Sequence, residues 1–175
     1  MHEAGYEFAI IRIGFRGYGQ EGTLKEDERF KEYIDGAKET GLDVGVYIFS
    51  QAIDEEEAIV EAEFVIELLD GIELELPITF DPELIRDDEA RTDDVTGEQF
   101  TKNTLAFCDH IRSKGYEPRV YSNMYWGPFC LIWKNWKTYR YGMRIMRRYR
   151  RRHIVLNIGS ILKKEKWTVY RLRVI

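Results

Sequence analysis

Apolar residues along the first 127 positions alternate between short continuous runs and stretches with helical spacing. The runs are rich in β-branched and aromatic residues, which predicts strands. Four such runs occur: FAIIRIGF (8–15), LDVGVYIFS (42–50), LPITFDPE (76–83) and PRVYSNMYW (118–126). Helical spacing separates them, as in the recurrence of Phe30, Ile34 and Ala37. Continuous strands alternating with amphipathic helices predict a parallel sheet covered by helices, either an open doubly wound sheet or a (β/α) barrel.

Polar residues and glycines mark where these helices begin and end. Asp54 precedes three glutamates, so it is a predicted N-cap for the second helix. Thr96 and Gln99 have the spacing of a capping box before a third helix, which Gly115 would end. Gly41 stands at the expected end of the first helix. These residues therefore predict where most of the helix ends lie.

The composition of the 175-residue chain is that of one globular domain, with 44% hydrophobic residues. No apolar run reaches 18 residues, so no membrane association is predicted. The first residues lack the basic and apolar regions of a signal peptide. Cys108 and Cys130 lack metal-ligand spacing and are expected to be buried free thiols.

Charge divides the chain sharply. Residues 1–130 hold 12 Lys and Arg against 30 Asp and Glu, whereas residues 131–175 hold 14 Lys and Arg against the single acid Glu165. A basic segment such as RRYRRR (147–152) could bind anionic polymers. An alternative function is therefore a non-enzymatic module that binds nucleic acid or a wall polymer through this tail.

Two carboxylates at the end of the third strand are the strongest chemical signal. Asp81 and Glu83 are two residues apart, so they point to the same face of a strand, about 6.5–7 Å from each other. That spacing lies within the roughly 5–9.5 Å used by pairs of carboxyl groups in glycoside cleavage. In a barrel, other polar and aromatic side chains at strand ends would converge on this pair to bind a sugar. These candidates are Arg16, Tyr47, Ser50, Tyr121, Asn123 and Tyr125.

Other candidate sites are weaker. No GxGxxG or GxxxxGK[ST] loop follows a strand, which argues against nucleotide binding. The three histidines have no partner at metal-ligand spacing, and no metal site is predicted. DDEARTDD (87–94) could bind a cation, but a solvated loop is the favoured interpretation.

Three separated stretches resemble the glycoside hydrolase family 25 lysozymes over about residues 3–127. They are FAIIRIGFRGYGQEGTLKEDERFKEYIDGAKETGLDVGVYIFSQA, LPITFDPE and RVYSNMYWG. The resemblance implies an irregular (β/α) TIM-like barrel that cleaves the β-1,4 bond after N-acetylmuramic acid in peptidoglycan. It implies no cofactor, peptidoglycan glycan strands as the partner rather than nucleic acid or membrane, a monomer, and an extracellular or cell-wall location.

The resemblance also assigns roles to the two acids. The D-x-E motif of the family falls on Asp81 and Glu83, so Glu83 would be the general acid. Asp81 would orient or stabilise the 2-acetamido group of the substrate, or the charge that develops near it. A neighbouring carboxylate helps to keep a carboxylic acid protonated near neutral pH, which agrees with this pairing. Whether the anomeric configuration is retained or inverted stays open.

Two departures from the family pattern predict an incomplete barrel. The family has an N-terminal strand of the type G-I-D-V-S, and the sequence begins just after its equivalent. The family also carries W-Y-A-D-Y and W-Q-Y strands, and neither motif occurs after Gly127. We therefore expect residues 1–127 to be a partial catalytic barrel that lacks its first and last strands. The chain as given is expected to be inactive.

Residues 128–175 are expected to be an aberrant basic tail produced by a frameshift. Reading the last base of each codon with the first two of the next forces Glu at Trp133-Lys134 and at Trp136-Lys137, and Asp at Trp167-Thr168. With the other third bases chosen to suit the family, the shifted frame contains WYADY and WQY. On this hypothesis RRYRRR is no evidence for nucleic-acid binding.

Overall fold

The computed structural model of the protein describes residues 7–123 and 153–157. These residues form six strands and three helices. The strands are β1 (Phe8–Arg16), β2 (Leu24–Glu26), β3 (Asp43–Ser50), β4 (Ile78–Pro82), β5 (Pro118–Asn123) and β6 (His153–Asn157). The helices are α1 (Phe30–Glu39), α2 (Glu55–Leu69) and α3 (Gly97–Ser113). The four predicted strands and the three predicted helices are all present within a few residues of their expected bounds.

One six-stranded sheet has the order β2-β1-β3-β4-β5-β6. The four strands β1, β3, β4 and β5 pair in parallel, and a helix connects each to the next. Because such crossovers are right-handed and the strand order advances in one direction, the three helices cover the same face of the sheet. The predicted mixed α/β architecture is confirmed, and the described strands do not close into a barrel.

Two strands were not predicted from the sequence. β2 forms a three-residue antiparallel ribbon with β1, in which Gly14 pairs with Glu26. Its short, mostly exposed sequence LKE has no alternating apolar pattern. β6 pairs antiparallel with β5 at the opposite edge of the sheet. β6 is the only part of residues 128–175 that the structure describes. The expectation that the other residues of this segment form an aberrant tail concerns residues outside the described ranges.

Side-chain caps begin the second and third helices as predicted. The Asp54 side chain accepts a hydrogen bond from the Glu57 backbone N–H at 2.9 Å, and the Thr96 hydroxyl accepts one from the Gln99 N–H at 3.2 Å. The reciprocal bond of the capping box, in which the Gln99 Oε1 would accept from the Thr96 N–H, is not among the described contacts. The Gln99 Nε2 donates to Glu55 and to Asn103. Gln99 thereby joins α3 to the start of α2.

We expect Asp54→Ala to lower the free energy of unfolding by about 1 kcal/mol, since it removes the side-chain oxygen that accepts from the Glu57 backbone N–H. Chemical denaturation of the variant against the parent measures the change. Asp54→Asn, which keeps an acceptor oxygen, should recover most of the loss. Equal stability of the Ala variant and the parent would contradict the capping role.

The hydrophobic core lies between the sheet and the helices. Val44, Val46 and Ile48 of β3 are fully buried toward the helices, and the rings of Phe80 and Phe107 pack 4.5 Å apart between β4 and α3. The predicted burial of Cys108 is confirmed, and its thiol is free; Cys130 lies outside the described residues. Among the helices that the structure describes, none is both long enough and apolar enough to cross a membrane.

Candidate active site

Asp81, the first of the two predicted acids, lies on the sheet face opposite the helices. This face, called here the open face, carries a row of side chains contributed by neighbouring strands: Phe15, Phe49, Asp81 and Tyr121. Phe15 pairs with Phe49, and Phe49 pairs with Asp81. Phe80 pairs with Val120, so Tyr121 comes beside Asp81. Because adjacent strands are about 4.8 Å apart, aromatic rings stand on both sides of the Asp81 carboxyl.

A second row lies one pleat deeper on the open face. Tyr47 of β3 pairs with Arg12 on one side and with Thr79 on the other, and Thr79 pairs with Arg119. The Arg12 guanidinium binds Asp27 at 2.8 Å and lies over the Phe15 ring. Tyr47 is thus next to the acids in the sheet. Burial, and after it the charges of Asp81 and Glu83, raise the pKa of the Tyr47 phenol against the opposing effect of Arg12.

Asp81 is an unusually isolated carboxyl group. Only 9% of the residue is exposed, and its Oδ1 atom has no hydrogen-bond partner within the described part of the chain. Burial first, and the charge of Glu83 second, raise the pKa of Asp81 to about 8. The Asp81 carboxyl group therefore stays protonated at neutral pH.

Glu83 follows the last residue of β4 and is half-buried. Its backbone carbonyl accepts a hydrogen bond from the side-chain amide of Gln51 at 2.5 Å. Glu83 lies just past the last paired residue of β4, and its charge is one of the causes that raise the pKa of Asp81, so the two carboxyl groups are near each other. That both point to the same side of the strand stays a prediction from their i, i+2 spacing.

The sequence prediction that Arg16 faces the substrate is wrong. Arg16 is 6% exposed and lies on the helix-covered face, where its Nε atom donates to the Glu61 carboxylate at 2.7 Å. Its Nη1 donates to the carbonyl of Gly22 at 2.8 Å. The pairing of β1 with β3 shifts between Arg12 and Gly14, and that irregularity moves Arg16 to the other face.

The same correction applies to Ser50, which lies on the helix-covered face with 1% exposure. It stands beside Glu61, whose pKa is raised to about 7 by burial against the opposing effects of Ser50 and Arg16. The sequence alone could have shown that Tyr47 and Ser50 do not share a sheet face, because they are three residues apart in one strand. Two residues of one strand at that spacing point to opposite faces.

Of the remaining predicted binding residues, Tyr47 and Tyr121 lie on the open face with the two acids. The side chain of Asn123 and all of Tyr125 lie outside the described residues. Sequence reasoning missed Phe15 and Phe49, which flank Asp81 in the row. The period-two pattern of β3 could have identified Phe49, since it lies two residues after Tyr47.

The acidic loop that follows β4, which the sequence suggested only weakly as a cation site, makes structural contacts with α2 and with Gln51. Arg91 makes a doubly hydrogen-bonded pair with Glu57 of α2, with both N–O distances at 2.7 Å. Thr92 is fully buried and donates to the Gln51 side chain at 2.8 Å. No cluster of three or more potential metal ligands occurs among residues 7–123 and 153–157.

Comparison with known proteins agrees with this geometry. The sequence profile of the glycosyl hydrolases family 25 matches residues 2–146. The chain belongs to glycosyl hydrolase family 25. The match extends beyond Gly127, the point where the sequence resemblance was expected to end.

Named relatives and solved structures of similar fold are wall-lytic proteins. The chain is 28% identical over 122 residues to the autolytic lysozyme of Clostridium acetobutylicum. That alignment covers 70% of this family 25 chain and 33% of the relative. The modular autolysin LytC of Streptococcus pneumoniae, solved with a synthetic peptidoglycan ligand, shares the fold with a TM-score of 0.62 and 21% identity. That alignment covers 89% of this chain and 41% of LytC.

A third wall-lytic protein, a muramidase, shares the fold as well. The muramidase of Trichobolus zukalii aligns with a TM-score of 0.56 and 22% identity, over 74% of this chain and 60% of that one. The family 25 chain thus spans about a third of the length of its curated relative, and 41% and 60% of the lengths of these two solved structures.

Proposed function

We propose that this protein is an N-acetylmuramidase that hydrolyses β-1,4 bonds of peptidoglycan through Asp81 and Glu83. The observation that carries the proposal is the pair of acids on the open face, one of them buried with a raised pKa and flanked by aromatic rings. Membership of family 25 supports the reaction class. An extracellular or cell-wall setting follows from the substrate.

The proton of the acid pair suggests how the roles divide. In the free protein the proton resides on the buried Asp81. An acetamido N–H of the substrate that donates to Asp81 favours its ionised form and lowers its pKa. Glu83, the more exposed of the two, is the acid that transfers a proton to the departing glycosidic oxygen. Asp81 as a carboxylate stabilises the acetamido group or the positive charge that develops at the sugar ring.

The aromatic residues of the open face supply the binding surface. Sugar rings stack on aromatic side chains, and sugar hydroxyl groups exchange hydrogen bonds with phenols. Tyr121 stands beside Asp81 with both a ring and a hydroxyl group, and Phe49 adds an apolar surface on the other side of Asp81. Tyr47 adds a second phenol one pleat deeper on the same face. We propose that Tyr47, Tyr121 and the strand end at Asn123 bind the glycan; Tyr125 keeps its predicted role on the sequence alone.

The experiment that tests the function is digestion of purified peptidoglycan followed by analysis of the new reducing ends. Two forms are compared: the 175-residue chain, and a completed chain in which residues 1–127 are joined to the first and last barrel strands of a family 25 relative. N-acetylmuramic acid at the new reducing ends supports the proposal. N-acetylglucosamine ends, or no cleavage by either form, would refute it.

Tyr121→Ala should raise the KM of the completed chain for peptidoglycan about 10-fold with kcat little changed, because it removes a ring from the substrate surface rather than an acid. Ser50→Ala is the matched control. It removes a hydroxyl group from the helix-covered face, so it should reduce stability by about 1 kcal/mol and leave KM unchanged. A larger kinetic effect at Ser50 than at Tyr121 would reverse the assignment of faces.

We also propose that residues 128–175 are a frameshift product and not a polymer-binding module. The charge asymmetry and the forced codons support this proposal, whereas the family match to residue 146 limits where the shift can begin. The encoding DNA tests it. A one-base shift near codon 130 should open a frame that encodes WYADY and WQY, and an early stop codon in that frame would exclude it.

A further inference from the structure

The residue that follows β3 forms a buried bridge to the candidate acid. Gln51 is fully buried, and its Nε2 atom donates to the backbone carbonyl of Glu83 at 2.5 Å and to that of Ser50 at 3.0 Å. Its Oε1 atom accepts from the Thr92 hydroxyl at 2.8 Å. All of these groups are buried or half-buried. Both the nitrogen and the oxygen of the Gln51 side-chain amide are therefore hydrogen-bonded.

The bridge joins two distant points of one loop. Glu83 begins the connection between β4 and α3, and Thr92 lies near its end. A loop of this length has many accessible conformations, and holding it in one of them requires tertiary contacts. The Gln51 carbonyl contributes a further contact, since it accepts from Arg91 at 3.3 Å. Arg91 is itself held by its double hydrogen bond to Glu57.

We propose that Gln51 is a positioning residue that fixes the Glu83 carboxylate beside Asp81. This inference rests on the proposed muramidase function. Glu83 lies just beyond the last residue of β4, so the parallel pairing that fixes Asp81 does not extend to it. The amide of Gln51 replaces that pairing by holding the Glu83 carbonyl. Since a displacement of about 1 Å at a catalytic group can cost about 10²-fold in rate, a single buried hydrogen bond at this point has a large effect on turnover.

The chain contains a matched control for this role. Asn103 is 1% exposed, and its Nδ2 atom donates to the backbone carbonyl of Ala52 at 2.9 Å. It therefore holds the same strand end through a buried amide. Among the described contacts, none joins Asn103 to Glu83. Loss of either amide should reduce stability, but only loss of the Gln51 amide should change the acid pair.

The primary experiment is a carboxyl-carbon NMR titration of Asp81 in the 175-residue chain. The variants are Gln51→Met and Asn103→Leu, which remove one amide each while keeping an apolar side chain of similar size. In Gln51→Met, the Asp81 titration midpoint should fall by about 0.5 pH unit or more, because the charge of Glu83 moves away. In Asn103→Leu, it should stay at the parent value. Gln51→Leu, which also removes the amide and adds no charge, replaces Gln51→Met if that variant does not fold.

The second readout is kinetic and uses the completed chain. Gln51→Met should lower kcat about 10–100-fold with KM within about threefold, whereas Asn103→Leu should keep both constants near the parent values. Unchanged Asp81 titration in the Gln51 variant, or equal effects in both variants, would overturn the positioning role. If the parent enzyme does not cleave peptidoglycan, the proposed function fails and the titration still decides the role of Gln51.

Discussion

Glu83→Gln in the completed chain is expected to lower kcat for peptidoglycan hydrolysis by about 10²–10⁴-fold, the usual contribution of general acid catalysis. Gln has nearly the shape of Glu but cannot carry a proton to the departing oxygen. KM should change little, because the amide still fits beside Asp81. The rate is measured as new reducing ends per enzyme molecule, and folding is checked by thermal melting.

The control for this substitution lies in the same loop. Glu89 is exposed between β4 and α3, so Glu89→Gln should retain the parent rate. If Glu83→Gln hydrolysed peptidoglycan at near the parent rate, Glu83 could not be the general acid. A loss shared equally by both variants would point to the charge of the loop and not to proton transfer.

The parallel core could be predicted because each of its elements has a strong local signal. β3 and β4 are continuous apolar runs, and Asp54 and Thr96 are effective helix caps whose hydrogen bonds are present in the structure. Local preference and tertiary burial agree at these positions, so the sequence alone predicts these strands and the helix bounds to within a few residues. β2 has three residues with little apolar content, and only its pairing with β1 makes it a strand.

The candidate site could be predicted in part. The i, i+2 spacing of Asp81 and Glu83 fixes their common face without any tertiary information. The sheet face on which Arg16 lies depends on an irregularity in the pairing of β1 with β3. No pattern in the sequence predicts that irregularity. The role of Gln51 depends on a contact with residues 32 positions away. Such hydrogen bonds join residues that are far apart in the sequence, so no local sequence pattern predicts them.

Asp81→Asn should have opposite effects on activity and on stability. It should severely impair hydrolysis, since the neutral amide cannot stabilise positive charge at the sugar ring. It should also make the folded protein more stable at pH 8. The physical reason is that the folded state buries the Asp81 carboxyl without a hydrogen-bond partner for Oδ1 among the described residues, and an amide carries no charge to desolvate.

The dependence on pH follows from the direction of the pKa change. The pKa of Asp81 is raised from 3.8 to about 8 in the folded state, so the unfolded chain releases this proton first as the pH rises. The contribution of Asp81 to stability is therefore complete below about pH 4 and is lost progressively as the pH rises through 8. Asn does not titrate. We expect Asp81→Asn to exceed the parent by about 2–5 kcal/mol at pH 8 and to show no such advantage at pH 4.

Urea denaturation of the 175-residue chain and its Asp81→Asn variant at pH 4, 6 and 8 measures this difference. The pKa of Glu61 is also raised, to about 7, so both proteins should still lose some stability over this range. The informative quantity is thus the difference between the two proteins at each pH, which cancels the Glu61 contribution. A difference that is constant from pH 4 to 8 would mean that Asp81 is not the buried proton-holding acid, and the proposed division of roles with Glu83 would then have to be abandoned.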